Sequence, residues 1–252
     1  LYGALPAAAQ RAALAPPGAV RRIVLATAIA ETSLTIPGVR VVVDAGRARR
    51  ARFDPGSGMS RLVTERVSRA EAEQRCGRAG RGAPGICFRM WARAEEGAMP
   101  AFAPPEIAVA DLAGLALDLA AWGAEAGDLA FLTPPPEGAL AEARALLADL
   151  GALDKAGRIT AHGRRLARLP LHPRLAHMLA VAGPAAADLA ALLSDRDPLR
   201  GAGADLEHRL RAIQGQGARA AFEANRQGIE RIRAEAKRLR RLVASRDGGG
   251  DD

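Results

Sequence analysis

The 252 residues carry 36 Lys and Arg against 28 Asp and Glu, a net charge of +8, with 49% hydrophobic but only 3% aromatic residues. That apolar share supplies cores for two or three packed units and excludes a disordered chain, while the shortage of aromatics leaves Ala and Leu to fill the interior and favours helices. The positive balance suits a polyanionic partner without specifying one.

Two cysteines, Cys76 and Cys87, exclude a disulfide framework, and neither has the Cys/His neighbours of a zinc site, so no residue is assigned to a metal. A reduced, cytoplasmic setting is expected from this usage. No stretch approaches the roughly eighteen uninterrupted apolar residues that span a bilayer, so no membrane partner is expected. Leu1 is not a start methionine, and the chain reads as cut from a longer one.

In chain order, Leu1 to Pro6 followed by Gln10-Arg11 and Pro16-Pro17 reads as a loop, a short helix and a breaker. Arg22 to Ala26 and Val39 to Val43 are short apolar runs, as buried parallel strands are, and imply an α/β sheet. Ligands of such sheets gather beyond the carboxyl ends of the strands, where Thr27 and Asp44 fall. Thr27, Glu31, Thr32, Ser33 and Thr35 place hydroxyls and a carboxylate directly after the first run; on residue chemistry alone this is ordinary capping of a helical turn. Phe53 to Leu62, through Asp54-Pro55-Gly56-Ser57-Gly58, predicts a β-hairpin.

Ser68-Arg69-Ala70-Glu71 has capping-box spacing and predicts a helix starting near Arg69. Gln74-Arg75-Cys76-Gly77-Arg78-Ala79-Gly80-Arg81 follows at once, with three arginines and two glycines. Continued as a helix, it puts Gln74, Arg78 and Arg81 on one face at i, i+4 and i+7, aiming one amide and two planar guanidiniums at one place. That is a phosphate-facing element; the alternative is a solvated arginine helix. Gly85 to Trp91 is the next strand.

Pro100 to Pro105 marks a boundary. Beyond it Leu112, Leu115, Leu119 and Trp122 recur at helical spacing, with Gly123 to end the helix and Trp122 read as core. Pro134 to Pro136 precede a helix carrying Leu140, Leu146, Leu147 and Leu150, and Gly151 to Thr160 reads as a compact hairpin. From His172 the chain is helical, punctuated at Pro173, Gly183-Pro184 and Asp197-Pro198. His162 and His208 read as isolated, and all four histidines as structural or surface residues. Asp205 to Arg246 holds eleven Lys/Arg against five Asp/Glu, net +6. Its stripe of Ile229, Ile232, Ala236, Leu239 and Val243 leaves Arg233, Arg238 and Arg241 among the basic residues on the other sides. The last residues, 247–252, read as a flexible tail.

The Ala26 to Ile36 segment and the Gln74 to Arg81 octapeptide, in this order and spacing, resemble motifs V and VI of the DEAH-box helicases. Val41-Val42-Val43-Asp44-Ala45-Gly46, Arg52-Phe53-Asp54-Pro55 and Leu169 to Ala176 resemble the bacterial HrpB-type branch in particular. The resemblance implies a fold that is α/β and then mainly α: a partial second RecA-like domain over 1–99, a winged-helix domain over 100–170 and a helical, ratchet-type domain over 171–246. It implies the C-terminal half of an ATP-dependent RNA helicase, with ATP and Mg2+ as cofactors held mainly by an N-terminal RecA-like domain off the chain.

In that scheme Arg78 and Arg81 are arginine fingers, Gln74 orders the γ-phosphate or the attacking water, and Gly77 belongs to the ATP-binding set. Thr27, Arg52, Phe53, Arg233, Arg238 and Arg241 face single-stranded RNA, and Glu31, Thr32, Ser33 and Thr35 couple RNA to nucleotide. Ala28 departs from the family's usual Asn, which removes a side-chain amide contact. The phosphate loop, the Asp-Glu-Ala-His element and the C-terminal region of the branch have no counterpart in these 252 residues, so the chain alone is expected not to hydrolyse ATP. Two rivals are a non-catalytic nucleic-acid-binding module and a DNA helicase or translocase.

Overall fold

The computed structural model describes residues 1–252 except 4, 17, 19–20, 32–35, 55, 217–221 and 245–252. Thr32, Ser33 and Thr35 therefore lie outside the described residues, as does the 247–252 tail. The chain forms two compact units, Leu1–Ala110 and Asp111–Asp252.

The first unit begins with helix α1 (Ala7–Leu14), which buries none of its residues. The run Arg22 to Ala26 forms no regular strand, and Ile23 and Leu25 are exposed. Among the described residues its backbone is bonded to Leu1, which donates to the Leu25 carbonyl, while Thr27 N donates back to Leu1 O at 3.0 Å. Two bonds make no ladder, and the strand expectation is corrected accordingly.

Strand β1 (Val41–Asp44) leads at Gly46 into β2 (Arg47–Asp54), which turns into β3 (Met59–Arg66), helix α2 (Arg69–Cys76) and strand β4 (Ile86–Arg89). A short helix α3 (Arg93–Glu96) follows. β1 and β4 pair in parallel from Val41↔Ile86 to Asp44↔Arg89, with the hairpin and α2 as the crossover. The hairpin is longer than its sequence signal, pairing from Arg47↔Arg66 to Asp54↔Met59. Gly46 has φ 68°, and a Cβ there would lie 2.8 Å from the Trp91 ring, so the turn needs glycine on both counts. Ala48, Val67, Ala72 and Met99 form the small core against that ring. The proline-rich segment 100–110 is bonded into this unit, through Arg69 N to Pro100 O (2.9 Å), Ala70 N to Ala101 O (3.1 Å) and Phe53 N to Val109 O (3.2 Å).

The second unit is helical: α4 (Ala113–Trp122), α5 (Glu137–Asp149), α6 (Ala161–Ala167), α7 (Pro173–Ala182), α8 (Ala187–Ser194), α9 (Leu206–Gln214) and α10 (Arg226–Ala244). Two short strands, β5 (Leu199–Arg200) and β6 (Glu223–Ala224), pair antiparallel. α4 packs on α5, α6 and α7, while α10 lies along α8. Buried Ala116, Ala143, Ala176, Ala190, Ala191 and Ala236 have no side chain beyond Cβ, which lets helix backbones approach closely. Gly123, at φ 72°, ends α4 as expected.

Trp122, read as core, is 77% exposed, so its place in the apolar period does not bury it. The 151–160 hairpin contracts to one antiparallel bridge, Leu153↔Ile159, because the Asp154 carboxylate takes the N–H groups of Ala156 and Arg158, both at 2.9 Å. Residues Pro173–Ser194 are long and apolar enough, by length and composition alone, to cross a membrane, although Arg174, His177 and Asp188 interrupt the run. They form two helices parted at Gly183, with Ala176, Leu179, Ala187 and Ala190 buried in the unit's core. His162 is not isolated: its Nε2 lies 3.0 Å from Nδ1 of His177. Burial, with the nearby charges of His177 and Arg165, pulls the His162 pKa below its ordinary value.

Candidate nucleotide and nucleic-acid site

The start of α2 is fixed as its sequence directs. Ser68 Oγ accepts from Glu71 N at 3.2 Å, and Glu71 Oε2 accepts from Ser68 N and from the Ser68 hydroxyl, both at 2.7 Å. Arg50 of β2 reaches Glu71 as well, and its Nη1 donates to Glu65 Oε1 at 2.6 Å. Burial works to raise the Glu71 pKa, but the hydrogen bonds from Ser68 and Arg50 outweigh it and hold the carboxyl below the ordinary range. The hairpin and the helix start are thus tied together by charge.

The end of α2 departs from its sequence reading. The last α-helical bond is Gly77 N to Glu73 O (2.9 Å), and Arg78 N to Arg75 O (3.1 Å) and Ala79 N to Cys76 O (3.0 Å) are i to i+3 bonds of tighter turns. Gln74, Arg78 and Arg81 therefore do not share a helical face, which needs the α-helical step to persist through residue 81. Gln74 and Arg81 are exposed and Arg78 is half-buried. Gly85 closes the loop: a Cβ there would lie 2.1 Å from Ala79 O and 2.6 Å from Arg40 O, so only glycine lets the returning chain pass.

Arg75 and Arg78 converge instead, on Glu31. Arg75 Nε donates to Glu31 Oε2 at 2.9 Å, and its Nη1 donates to Asp44 Oδ1 at 3.0 Å and Arg47 O at 3.2 Å. Arg78 holds the main chain of the same residue, Nε donating to Glu31 O at 2.7 Å with Nη2 on the same carbonyl. Burial works to lower the Arg75 pKa, yet the hydrogen bonds and charges of Glu31 and Asp44 raise it beyond its usual value. Asp44, 4% exposed at the carboxyl end of β1, also accepts from Gly46 N at 2.9 Å. Among the described residues, Asp44 Oδ2 and Arg75 Nη2 are buried without a hydrogen-bond partner. Sequence reasoning missed Arg75; the signal was its i, i+3 spacing to Arg78 together with a buried aspartate closing a strand.

Thr27 is exposed, one 3₁₀ turn (Ala28–Ala30) before Glu31. Arg52 is held in the hairpin by Glu65, Nη2 lying 2.6 and 2.8 Å from its two oxygens, and Phe53 is half-buried. In the second unit, Arg233 sits on the C-terminal carbonyls of α9, those of Ile213 and Ala212, and serves there as a cap. Arg238 pairs with Glu235 at 2.8 Å, and Arg241 is exposed. Guanidiniums of the 75–81 loop suit phosphoryl oxygens, while among the described residues no group of three His, Cys, Asp or Glu side chains could hold a metal ion.

A parallel strand pair ending at a buried aspartate, an arginine loop at that end and a winged-helix-like second unit define a helicase segment of RecA-like and winged-helix type. The helicase conserved C-terminal domain matches residues 1–83, and the winged-helix helicase-associated domain HA2 matches residues 143–171. The ATP-dependent RNA helicase HrpB of Escherichia coli (strain K12) is 46% identical over 202 residues, covering 77% of this chain and 25% of that protein. The probable ATP-dependent RNA helicase DHX34 of Homo sapiens is 42% identical over 169 residues, covering 66% and 14%. A crystal structure of the Escherichia coli DEAH/RHA helicase HrpB superposes with a TM-score of 0.83 at 38% identity, over 100% of this chain and 31% of that one. The chain belongs to the DEAH-box helicases, in their HrpB-type branch, and spans about a quarter of the length of the HrpB relative.

Proposed function

We propose that this chain is the C-terminal half of the core of an ATP-dependent RNA helicase, contributing arginine fingers to ATP hydrolysis and part of an RNA path. Glu31 carries the reading: it is gripped by both Arg75 and Arg78 one short turn after Thr27, so the segment assigned to RNA and the loop assigned to nucleotide share a residue. ATP hydrolysis supplies the free energy for strand separation. Arg78 and Arg81 neutralise charge on the phosphoryl group, Gln74 and Gly77 complete that surface, and Glu31, Thr32, Ser33 and Thr35 relay between it and Thr27.

The phosphates and Mg2+ are held mainly by an N-terminal RecA-like domain of the same protein. Division of the chain into a RecA-like domain over 1–99, a winged helix over 100–170 and a helical domain over 171–246 belongs to the same reading. So does a cytoplasmic setting, which the free thiols of Cys76 and Cys87 support.

Arg78→Lys in the intact protein tests the proposal, because it keeps the charge and removes the planar fork. Turnover is expected to fall by about two orders of magnitude, inside the range for arginine fingers, with RNA affinity in the absence of nucleotide little changed. Turnover within twofold of wild type would make Arg78 a structural arginine.

A further inference from the structure

Arg75, in the last turn of α2, has no part in the finger scheme, yet it is firmly anchored. It lies between two carboxylates from different elements, Glu31 after the Thr27 turn and Asp44 at the end of β1, and its side chain is 15% exposed. Taking three charged groups out of water is costly, and a packed apolar trio of similar volume holds a fold together as well or better. The arrangement is also unsaturated, with Arg75 Nη2 and Asp44 Oδ2 left without partners among the described residues. A purely structural clamp has no use for that; a joint with more than one bonding arrangement does.

Geometry says what the joint would transmit. Glu31 is held at its carboxylate by Arg75 and at its carbonyl by Arg78, and it stands at the end of the 3₁₀ turn that begins at Thr27, Ala30 N donating to Thr27 O at 3.2 Å. Because Arg75 also holds Asp44 and the Arg47 carbonyl, the Thr27 turn cannot shift against β1 without changing the Arg75 bonds. Any such shift also moves the carbonyl on which Arg78 rests.

We propose that Arg75 is a positioning residue that couples nucleic-acid contact near Thr27 to the placement of Arg78, through its bridge between Glu31 and Asp44. The inference rests on the helicase reading above, and its mark is the ratio of turnover with RNA to turnover without it. A residue that only stabilises the fold, or only serves chemistry, lowers both rates together. A coupling residue lowers the stimulated rate more.

The experiment measures ATP turnover of the full-length protein with and without saturating single-stranded RNA for wild type, Arg75→Gln, Arg75→Lys and Glu31→Gln. Allosteric couplings usually amount to factors of about 5 to 150, so Arg75→Gln is expected to cut the RNA stimulation ratio by about tenfold. KM for ATP should stay within about threefold of wild type, since the interaction lost serves the transition state more than the ground state. Arg75→Lys, which keeps the charge but cannot fork between two carboxylates, should recover part of the ratio. Glu31→Gln, isosteric and less disruptive, should lose it as Arg75→Gln does, and decides the matter if Arg75→Gln does not fold. An unchanged ratio, or equal loss of both rates in Glu31→Gln and Arg75→Lys, overturns the proposal. Arg78→Lys run alongside keeps the two readings apart: unaltered turnover there removes the finger, while the Arg75 ratio still answers for the coupling.

Discussion

Arg75 in the first unit and Arg209 in the second are both arginines withdrawn from water onto carboxylates, and their surroundings treat them differently. Every nitrogen of Arg209 has an acceptor: Nε and Nη2 fork onto Asp197, Nη1 takes the carbonyls of Ala202 and Asp205, and Nη2 also takes that of Gly203. Those acceptors lie along one loop and the start of α9, so the guanidinium is a local nail. Arg75 bridges segments far apart in the sequence and leaves a nitrogen over. A saturated guanidinium with local partners fixes one conformation, whereas an unsaturated one with distant partners can serve more than one. Arginine density alone separates neither.

If that contrast holds, Arg209 should dominate stability. Arg209→Met strands three carbonyls and the Asp197 carboxylate. Breaking a buried charge pair costs about 3 to 5 kcal/mol, and the lower end applies because the Asp197 side chain is 48% exposed and can rehydrate. Urea unfolding of the chain should show a loss near 3 kcal/mol. A loss under about 1 kcal/mol would mean that the loop is held by something other than this arginine.

Gly85→Ala attacks the other arginine region through the backbone. The new methyl meets two carbonyl oxygens, from Ala79 and Arg40, neither of which can swing aside as a side chain would. Forced overpacking costs about 1 to 3 kcal/mol. Since the displaced carbonyl belongs to the residue after Arg78, the variant should also lose turnover in the intact protein. Full activity alongside lowered stability would show that the loop tolerates displacement.

Both regions also differ in how far they could be read in advance. The start of α2 was legible because a capping box is local chemistry, satisfied within four residues. The hairpin was legible from Asp54 and its glycines, and α10 from its apolar period, which buries Ile229, Ile232, Ala236 and Leu239. What escaped depends on partners distant in sequence. Nothing near Arg75 announces that Glu31 and Asp44 will meet it, and nothing near Trp122 says that the core ends short of its ring. Arg233 reads as one more cation on a basic helix, and only the placement of α9 makes it a cap. The Gln74, Arg78 and Arg81 face failed for a local reason, since the chain tightens at Gly77 and the helical phase is lost.

Ser68→Ala is a smaller blow to the same helix. It removes an acceptor for Glu71 N and a donor to Glu71 Oε2, and loss of an N-cap hydroxyl costs about 1 kcal/mol. The pH dependence follows from Glu71, whose carboxyl is held below its ordinary range in the folded chain. A depressed folded pKa contributes stability above the ordinary glutamate range and loses it as pH falls through the folded value. The Ser68 hydroxyl supplies part of that depression, so the stability gap between wild type and Ser68→Ala should narrow as the solution is taken below the ordinary glutamate range; a gap independent of pH would assign the depression to the Ser68 N–H, which the variant keeps, and to Arg50.

The smallest effect concerns the surface arginines of α10, where the comparison turns on what is left free to bind. Arg233 is occupied on the end of α9, so replacing it mixes a binding effect with a folding one and it is left intact. Among the described residues Arg238 pairs with Glu235 across one turn of the helix, an exposed pair that solvent screens, and Arg241 is exposed in the last turn. Each can exchange its surroundings for an RNA phosphate at little cost to the fold. Releasing condensed counterions gives a slope of about 0.7 in log affinity against log salt for each phosphate contacted on a single strand. Arg238→Gln with Arg241→Gln should therefore flatten the slope by about 1.4, evenly across RNA sequences, because neither residue brings an aromatic face to read bases. The measurement is RNA affinity of the chain at several salt concentrations, with circular dichroism confirming that α10 remains helical. An unchanged slope would take α10 off the RNA path, leaving Thr27, Arg52 and Phe53 of the first unit to hold the strand.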